Sequence, residues 1–153
     1  MIFDKVKLVS SPMTGEVSAL AESGDPVHQQ EMLGKGAIII PSEGAVHAPF
    51  NGKTAMVFET RHALGLVSDE GVELLIHVGL DTVKLKGKYF TAHVTDNQDI
   101  NEGDLLLEFD IDGIKAEGYD IESQIIVTNS GDYESVAVSA VGTIKKNEGL
   151  LEI

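Results

Sequence analysis

The chain has 153 residues, 42% of them apolar, and this size and composition favour one folded domain, residues 1–153, over a disordered chain. It contains no cysteine, which excludes disulfides, thiolate metal ligands and a cysteine nucleophile. Its formal net charge of −14 disfavours nucleic acid and anionic membranes as partners; the charge either complements a basic protein or only keeps the chain soluble.

Short apolar runs separated by turn residues indicate strands along most of the chain. These runs are rich in β-branched residues and are too short for typical helices. We predict strands at residues 6–9, 16–20, 37–40, 54–58, 64–67, 72–78, 105–109, 124–128 and 136–140. Their spacing of roughly 8 to 12 residues, with glycine in the turns, predicts an all-β fold, an antiparallel β-sandwich or a barrel-like arrangement. Short helical turns fit at residues 33–36 and 112–123, although neither stretch has a 3.6-residue period.

One of the five histidines, His77, lies inside an apolar strand pattern. Burial disfavours the charged form of an imidazole, and its two nitrogens still need partners. In a regular strand Leu75, His77 and Gly79 share one face, and Gly79 leaves open space beside the ring for a close approach by a partner. The alternative is a core histidine whose nitrogens are satisfied by backbone groups.

A second histidine, His62, comes just before the predicted strand at residues 64–67. Between it and His77 lies the turn signal of residues 68–71, with the sequence Ser-Asp-Glu-Gly. A hairpin closed at that turn brings His62 and His77 to the same end of a two-stranded ribbon. The register of the hairpin cannot be read from sequence, so the contact itself is an expectation.

Two adjacent histidines fit three kinds of site. Metal ligation lacks partners, because zinc sites use three or four protein ligands and no His-x-His or His-Glu-x-x-His spacing is present, so we predict no metal and no cofactor. Acid–base catalysis needs a substrate cleft, for which the sequence has no signature. A covalent carrier needs one nucleophilic ring, one hydrogen-bond donor and a surface for its partners, and these are available.

Residues 73–87, with the sequence ELLIHVGLDTVKLKG, resemble the phosphorylation-site motif of the glucose-type enzyme IIA family of the bacterial sugar phosphotransferase system. The resemblance extends in family order through residues 34–36, 48–52, 58–63 and 103–108. It implies a β-sandwich that relays a phosphoryl group. In this family the phosphocarrier protein HPr is the donor, and a cysteine of a IIB domain is the acceptor. This chain has no IIB or membrane IIC part, so the resemblance implies transfer in trans.

The resemblance also implies roles for four residues at the site. His77 is the nucleophile and attacks through Nε2, while its Nδ1–H is oriented by the backbone carbonyl of Gly79. His62 donates a hydrogen bond to the phosphoryl oxygens, and Thr60 holds His62 through its hydroxyl group. Phosphoryl transfer asks mainly for alignment and charge stabilisation, so this small set suffices.

Further positions match the residues with which the family contacts its partners. Two are acidic residues that meet a basic side chain of the carrier, Asp25 and Asp81, and the others are the apolar residues Val27, Met32, Leu33, Phe58, Leu75 and Val83. The alternatives are core burial for the apolar set, turn capping for Asp25 and ordinary solvation for Asp81. His28 departs from the family, whose members often carry phenylalanine there, so the docking surface is more polar in this chain.

Two other functions remain as alternatives to a sugar-transport phosphocarrier. A phosphorylation-dependent regulatory protein would use the same face, since some members of the family bind transporters or enzymes according to their phosphorylation state. A zinc peptidase of lysostaphin type has a similar β-architecture but requires the His-x-His pair that is missing here. The sugar cannot be identified, because specificity in this system belongs to the membrane partner.

The sequence also bears on the location of the protein. No stretch approaches the roughly 20 apolar residues that a membrane-spanning helix needs. Asp4, Lys5 and Lys7 interrupt the first apolar patch, which makes it a poor signal peptide. We therefore expect a cytoplasmic protein with no membrane insertion, and Met1 and the length favour a stand-alone protein over a domain cut from a longer chain.

Overall fold

Strands dominate the computed structural model, which describes residues 8–140 and 142–153. The strands in these residues are β1 (Leu8–Ser10), β2 (Gly15–Ala19), β3 (Lys35–Pro41), β4 (Ala45–His47), β5 (Gly52–Val57), β6 (Ala63–Ser68), β7 (Glu73–His77), β8 (Phe90–Ala92), β9 (Asp99–Ile100), β10 (Leu105–Phe109), β11 (Ser123–Val127), β12 (Ala137–Val138), β13 (Gly142–Ile144) and β14 (Gly149–Glu152). The helices are α1 (Pro26–Gln29) and α2 (Ile111–Ala116), with single 3-10 turns at Leu20–Glu22, Thr82–Leu85 and Ser130–Asp132.

The strands form one large sheet and two small ones. The large sheet has the order β13-β2-β3-β11-β7-β6-β5-β9, and the small sheets have the orders β1-β14-β12 and β4-β10-β8. Every pairing recorded among the described residues is antiparallel. Apolar side chains from all three sheets pack into one buried cluster, as the inward faces of a sandwich do. The prediction of an all-β antiparallel sandwich with short helical turns is confirmed.

The predicted elements agree with the structure where the apolar runs are long. Each of the nine predicted strands overlaps an observed one, although residues 6 and 7 of the first lie outside the described residues. The missed strands β4, β8, β9, β13 and β14 contain only two to four residues each, too few to show alternation. The helical turn expected at residues 112–123 is present as α2, but the one at residues 33–36 is wrong, because β3 already begins at Lys35.

Helix α1 forms in a stretch where we predicted neither a strand nor a helical turn. The carboxylate of Asp25 accepts a hydrogen bond from the Val27 backbone N–H at 2.9 Å, and Pro26 occupies the first helical position. Both features stabilise the first turn of a helix. The carboxylate satisfies a backbone N–H group that has no partner within the helix, and the proline ring fixes the backbone angle φ near its helical value. Asp25 therefore caps a helix, which is the alternative considered for it.

The large sheet places His77 on the face opposite the main core. Along β7 the side chains alternate, so Leu74 and Ile76 belong to the buried core while Leu75 and His77 lie on the other side. Leu75 packs there against a small second cluster, made of Leu20, Ile38 and Ile126. The candidate site thus lies on a partly covered outer face, near the middle of the sheet.

Candidate functional site

The β6–β7 hairpin brings the two predicted histidines into contact. Ser68 closes the turn by accepting the Val72 N–H on its side-chain oxygen at 2.9 Å. Ala63 pairs with His77 across the ladder, and the His62 carbonyl oxygen accepts the Val78 N–H at 2.8 Å. The two imidazole rings meet edge to face, with centroids 5.0 Å apart and an angle of 85° between their planes. The expected hairpin and the contact of its histidines are confirmed.

A tight turn before β6 sets the orientation of His62. The Phe58 carbonyl oxygen accepts the Arg61 N–H at 2.8 Å, and Arg61 adopts a left-handed backbone conformation with φ of 59°. The ring of His62 is buried and touches the Phe58 ring edge-on at 5.5 Å between centroids. The hydroxyl oxygen of Thr60 lies 2.6 Å from Nδ1 of His62, so this nitrogen is engaged and Nε2 remains for another partner.

The ring of His77 is held through Nδ1. This atom lies 2.9 Å from the side-chain oxygen Oε1 of Gln124, which lies opposite His77 on the neighbouring strand β11. The backbone of Gly79 also hydrogen-bonds to the ring. The sequence identified Gly79 but missed Gln124, whose only signal is a polar residue near the start of a strand that is otherwise largely apolar.

Gly79 does not leave the open space that we expected beside the ring. It is buried with φ of +83°, and a Cβ atom there would collide with the side chain of Thr82 and the carbonyl oxygen of Asp120. The residue is thus required by a left-handed turn in a crowded place, and not by the approach of a partner. This turn is what returns the chain from β7 to the 3-10 turn at Thr82–Leu85.

A third histidine, His28, contacts the pair from α1. Its ring centroid lies 5.6 Å from that of His77, with 54° between the planes, and only 4% of the residue is exposed. Its Nδ1 is buried and has no hydrogen-bond partner among the described residues. Although three imidazoles meet here, no group of three histidine, cysteine or acidic residues able to hold a metal ion occurs in residues 8–140 and 142–153.

The environment keeps both rings of the hairpin neutral near pH 7. Burial lowers the pKa of His62 to about 4, and the neighbouring His77 adds to the lowering. Burial also lowers the pKa of His77, and the neighbouring His28 adds to the lowering. The hydrogen bonds that the ring donates to Gln124 and Gly79, and the charge of Asp25, oppose it. A neutral imidazole keeps one nitrogen lone pair free, which is the form that a nucleophile needs.

The low pKa of His62 predicts a pH-dependent loss of stability. The pKa of His62 is about 4 in the folded chain and about 6.5 in the unfolded chain. Its contribution to the free energy of unfolding is therefore complete above pH 6.5 and is lost as the pH falls towards 4. We expect the free energy of unfolding to fall more steeply for the wild type than for His62→Gln between about pH 7 and pH 5. Denaturant titrations of both proteins measure this, and parallel curves would contradict it.

The docking residues divide into exposed and half-buried ones. Four of the six apolar positions are exposed, and we call them the apolar rim: Val27, Met32, Leu33 and Val83. Core burial is therefore wrong for these four. Phe58 and Leu75 are half-buried beside the rings, whereas Asp25 is half-buried and Asp81 exposed on the turn that follows Gly79. Val27 lies on α1, whose His28 contacts His77, and Met32 and Leu33 follow that helix. Val83 lies on the 3-10 turn that comes after Gly79.

Within the described residues, no helix is long and apolar enough to cross a membrane.

Comparisons with known proteins agree on one family. Residues 7–133 match the family described as phosphoenolpyruvate-dependent sugar phosphotransferase system, EIIA 1. Over 147 residues, 96% of this chain, the sequence is 44% identical to the PTS system beta-glucoside-specific EIIBCA component of Bacillus subtilis (strain 168). The fold matches glucose permease IIA from Mycoplasma capricolum with a TM-score of 0.91 and 36% identity, over 99% of this chain and 98% of that one.

These matches differ in how much of the relative they cover. The chain spans 24% of the length of the β-glucoside component, but nearly all of the solved glucose permease IIA. The family match itself extends over well more than half of the chain. The chain therefore belongs to the EIIA 1 family of the phosphoenolpyruvate-dependent sugar phosphotransferase system, and is a phosphotransferase component of that system.

Proposed function

We propose that this chain accepts a phosphoryl group from phospho-HPr on Nε2 of His77 and passes it to a cysteine of a IIB domain. The observation that supports this most is the contact between the two rings, with Nδ1 of His77 occupied by an acceptor, the side-chain oxygen of Gln124. This leaves Nε2 as the free nucleophilic atom. Because phosphoenolpyruvate is a cytoplasmic metabolite, the proposal places this site on the cytoplasmic side.

The transfer needs two displacements at phosphorus. In the first, the Nε2 lone pair of His77 attacks, the new P–N bond forms, and the bond between phosphorus and HPr breaks with its electron pair leaving on HPr. In the second, a cysteine thiolate of IIB attacks, the P–S bond forms, and the electron pair of the P–N bond returns to Nε2. Neither step requires a proton to leave Nδ1, because that proton stays in the hydrogen bond on the other side of the ring.

His62 would stabilise the charge on the transferring group. Its Nδ1 lies 2.6 Å from the Thr60 hydroxyl oxygen. If that hydroxyl donates to Nδ1, the proton of the neutral ring is on Nε2, where it can be donated to a phosphoryl oxygen. A donor that is already aligned before the reaction stabilises the transition state without reorganisation. Thr60 is thus a positioning residue for His62 in this proposal.

Partner docking would use the apolar rim around the histidines. Exposed apolar side chains that surround a functional group are typical of the centre of an interface, and carboxylates at the edge favour a basic partner. Asp25 and Asp81 flank the rim, and the net charge of −14 extends the negative field over the chain. Both HPr and IIB would bind here in turn, since each must reach the same nitrogen of His77.

A matched pair of lysine substitutions tests the docking surface. Val27 of the apolar rim and Leu105 on β10 are both 38% exposed, but β10 belongs to a different sheet from His77. We expect Val27→Lys to weaken HPr binding at least about tenfold, because it places a charge among desolvated apolar contacts and repels a basic partner. Leu105→Lys makes the same charge change and should leave the affinity unaltered. Calorimetric titration with HPr measures both; equal effects would remove the rim from the interface.

The proposed function is tested by reconstituting the relay. The protein is incubated with enzyme I, HPr and labelled phosphoenolpyruvate, and a separately supplied IIB domain is then added. We expect an acid-labile, base-stable label on the chain that disappears as label appears on IIB, as a phosphohistidine intermediate requires. If HPr becomes labelled and this chain does not, the proposal is wrong.

A further inference from the structure

A chain of buried polar side chains leads away from the ring of His77. Gln124 contacts Nδ1 of His77 through Oε1 at 2.9 Å, and its amide nitrogen Nε2 lies 2.8 Å from Oε2 of Glu122. The same Oε2 accepts the hydroxyl of Ser23 at 2.6 Å, while Oε1 accepts the backbone N–H of Gly24 at 3.0 Å. Gln124, Glu122 and Ser23 are all buried. None of these three residues is required by the steps of the proposed relay.

The carboxyl group of Glu122 decides which way the amide of Gln124 points. A carboxylate only accepts hydrogen bonds, so the NH₂ group of Gln124 must face it and the amide oxygen must face His77. The backbone carbonyl of Glu122 accepts from the same NH₂ group at 3.0 Å, so both amide hydrogens are used. If the amide were reversed, its oxygen would face two acceptors of Glu122 in a buried site and its NH₂ group would lose both partners, which would lower the stability of the fold. Ser23 and Gly24 in turn hold the carboxyl group in place.

This orientation determines the tautomer of His77. An amide oxygen cannot donate, so the facing Nδ1 must carry the ring proton and Nε2 must carry the lone pair. We propose that Gln124, oriented by Glu122 and Ser23, is a positioning residue that holds His77 in the tautomer able to attack through Nε2. This inference rests on the proposed function for its consequence, but the tautomer is a property of the protein without partners.

The arrangement also favours the phosphorylated state. Once phosphorus is bound to Nε2, the ring becomes more electron-poor and Nδ1–H becomes a stronger donor. The hydrogen bond from Gln124 to the Glu122 carboxyl group then strengthens the one that Gln124 accepts from Nδ1–H, because hydrogen bonds in a chain polarise one another. The hydrogen bond that Nδ1 donates to Gln124 raises the pKa of His77, against the effect of burial.

The test compares the near-isosteric variant Gln124→Met with the wild type. Met fills the same space but offers no amide oxygen to Nδ1. Long-range ¹H–¹⁵N NMR of the imidazole distinguishes the two tautomers directly. We expect wild-type His77 to carry its proton on Nδ1. In Gln124→Met we expect a mixture of tautomers, a lower pKa of His77 and phosphoryl acceptance slowed at least tenfold.

A control variant keeps the test specific. Ser123 is a buried polar residue on the same strand, and its hydroxyl donates to the Ile121 carbonyl at 3.0 Å, so Ser123→Ala is a control that should match the wild type.

The outcomes separate this inference from the proposed function. An unchanged tautomer and rate in Gln124→Met would overturn it, and would leave the Gly79 backbone as the sufficient acceptor. A change of the same size in Ser123→Ala, in the tautomer or in the rate, would also overturn it. If the tautomer of His77 changes in Gln124→Met but the wild-type protein accepts no phosphoryl group, the relay is refuted and this inference stands.

Discussion

His77→Ala is expected to lower the rate of phosphoryl acceptance from phospho-HPr by more than about 10⁴-fold, while the protein stays folded. The substitution removes the ring that carries the proposed attacking Nε2, whose Nδ1 faces the side-chain oxygen of Gln124. Folding should survive, because His77 is only half-buried and lies on the face opposite the main core. Rapid-quench measurements with labelled phosphoenolpyruvate, enzyme I and HPr give the rate.

The matched control for this variant is His93→Ala. His93 pairs with Glu108 through Nε2 at 2.7 Å beside the small β4-β10-β8 sheet, so its loss removes an imidazole without touching the site. We expect His93→Ala to accept the phosphoryl group at the wild-type rate. Labelling of His77→Ala at a comparable rate would mean that His28 or His62 is the acceptor, and the assignment of the nucleophile would be wrong.

His62→Gln is expected to accept the phosphoryl group but to pass it to IIB about 10²- to 10³-fold more slowly. In the first step a neutral ring attacks, and a glutamine amide can still donate to the phosphoryl oxygens. In the second step a thiolate approaches a group that is already negative. A dianion beside His62 favours its protonated form, so the ring can supply a positive charge that glutamine cannot.

Separate measurement of the two half-reactions tests this asymmetry. The phosphorylated variant is first isolated and then mixed with IIB, so that onward transfer is observed alone. Thr60→Val removes the hydroxyl that lies 2.6 Å from Nδ1 and should cause a smaller loss in the same step, about tenfold. Equal slowing of both half-reactions in His62→Gln, or normal onward transfer, would contradict the role given to His62.

Local patterns were enough to predict the centre of the site. The turn at residues 68–71 predicts a hairpin, and antiparallel pairing then brings His62 next to His77, as the register Ala63 to His77 shows. The longer strands could be predicted for the same reason, since an apolar run of branched residues specifies its own conformation. The family resemblance added roles that no spacing in the chain implies.

Contacts between distant parts of the chain could not be predicted in this way. Gln124 reaches His77 across 47 residues and Ser23 reaches Glu122 across 99, and both contacts depend on the order of strands in the sheet. His28 was placed only at the docking surface, although α1 brings it against the His77 ring. The open space expected at Gly79 was wrong for a related reason, because Thr82 and Asp120 fill it after the chain turns.

The central claim, that Nε2 of His77 carries the phosphoryl group, is tested most directly by NMR of the phosphorylated protein. Three imidazoles lie in contact here, so the position of phosphorus must be read atom by atom. Long-range ¹H–¹⁵N spectra, with coupling to ³¹P, identify both the ring and the nitrogen. We predict phosphorus on Nε2 of His77 with the proton kept on Nδ1. Phosphorus on Nδ1 of His77, or on His62 or His28, would contradict the account.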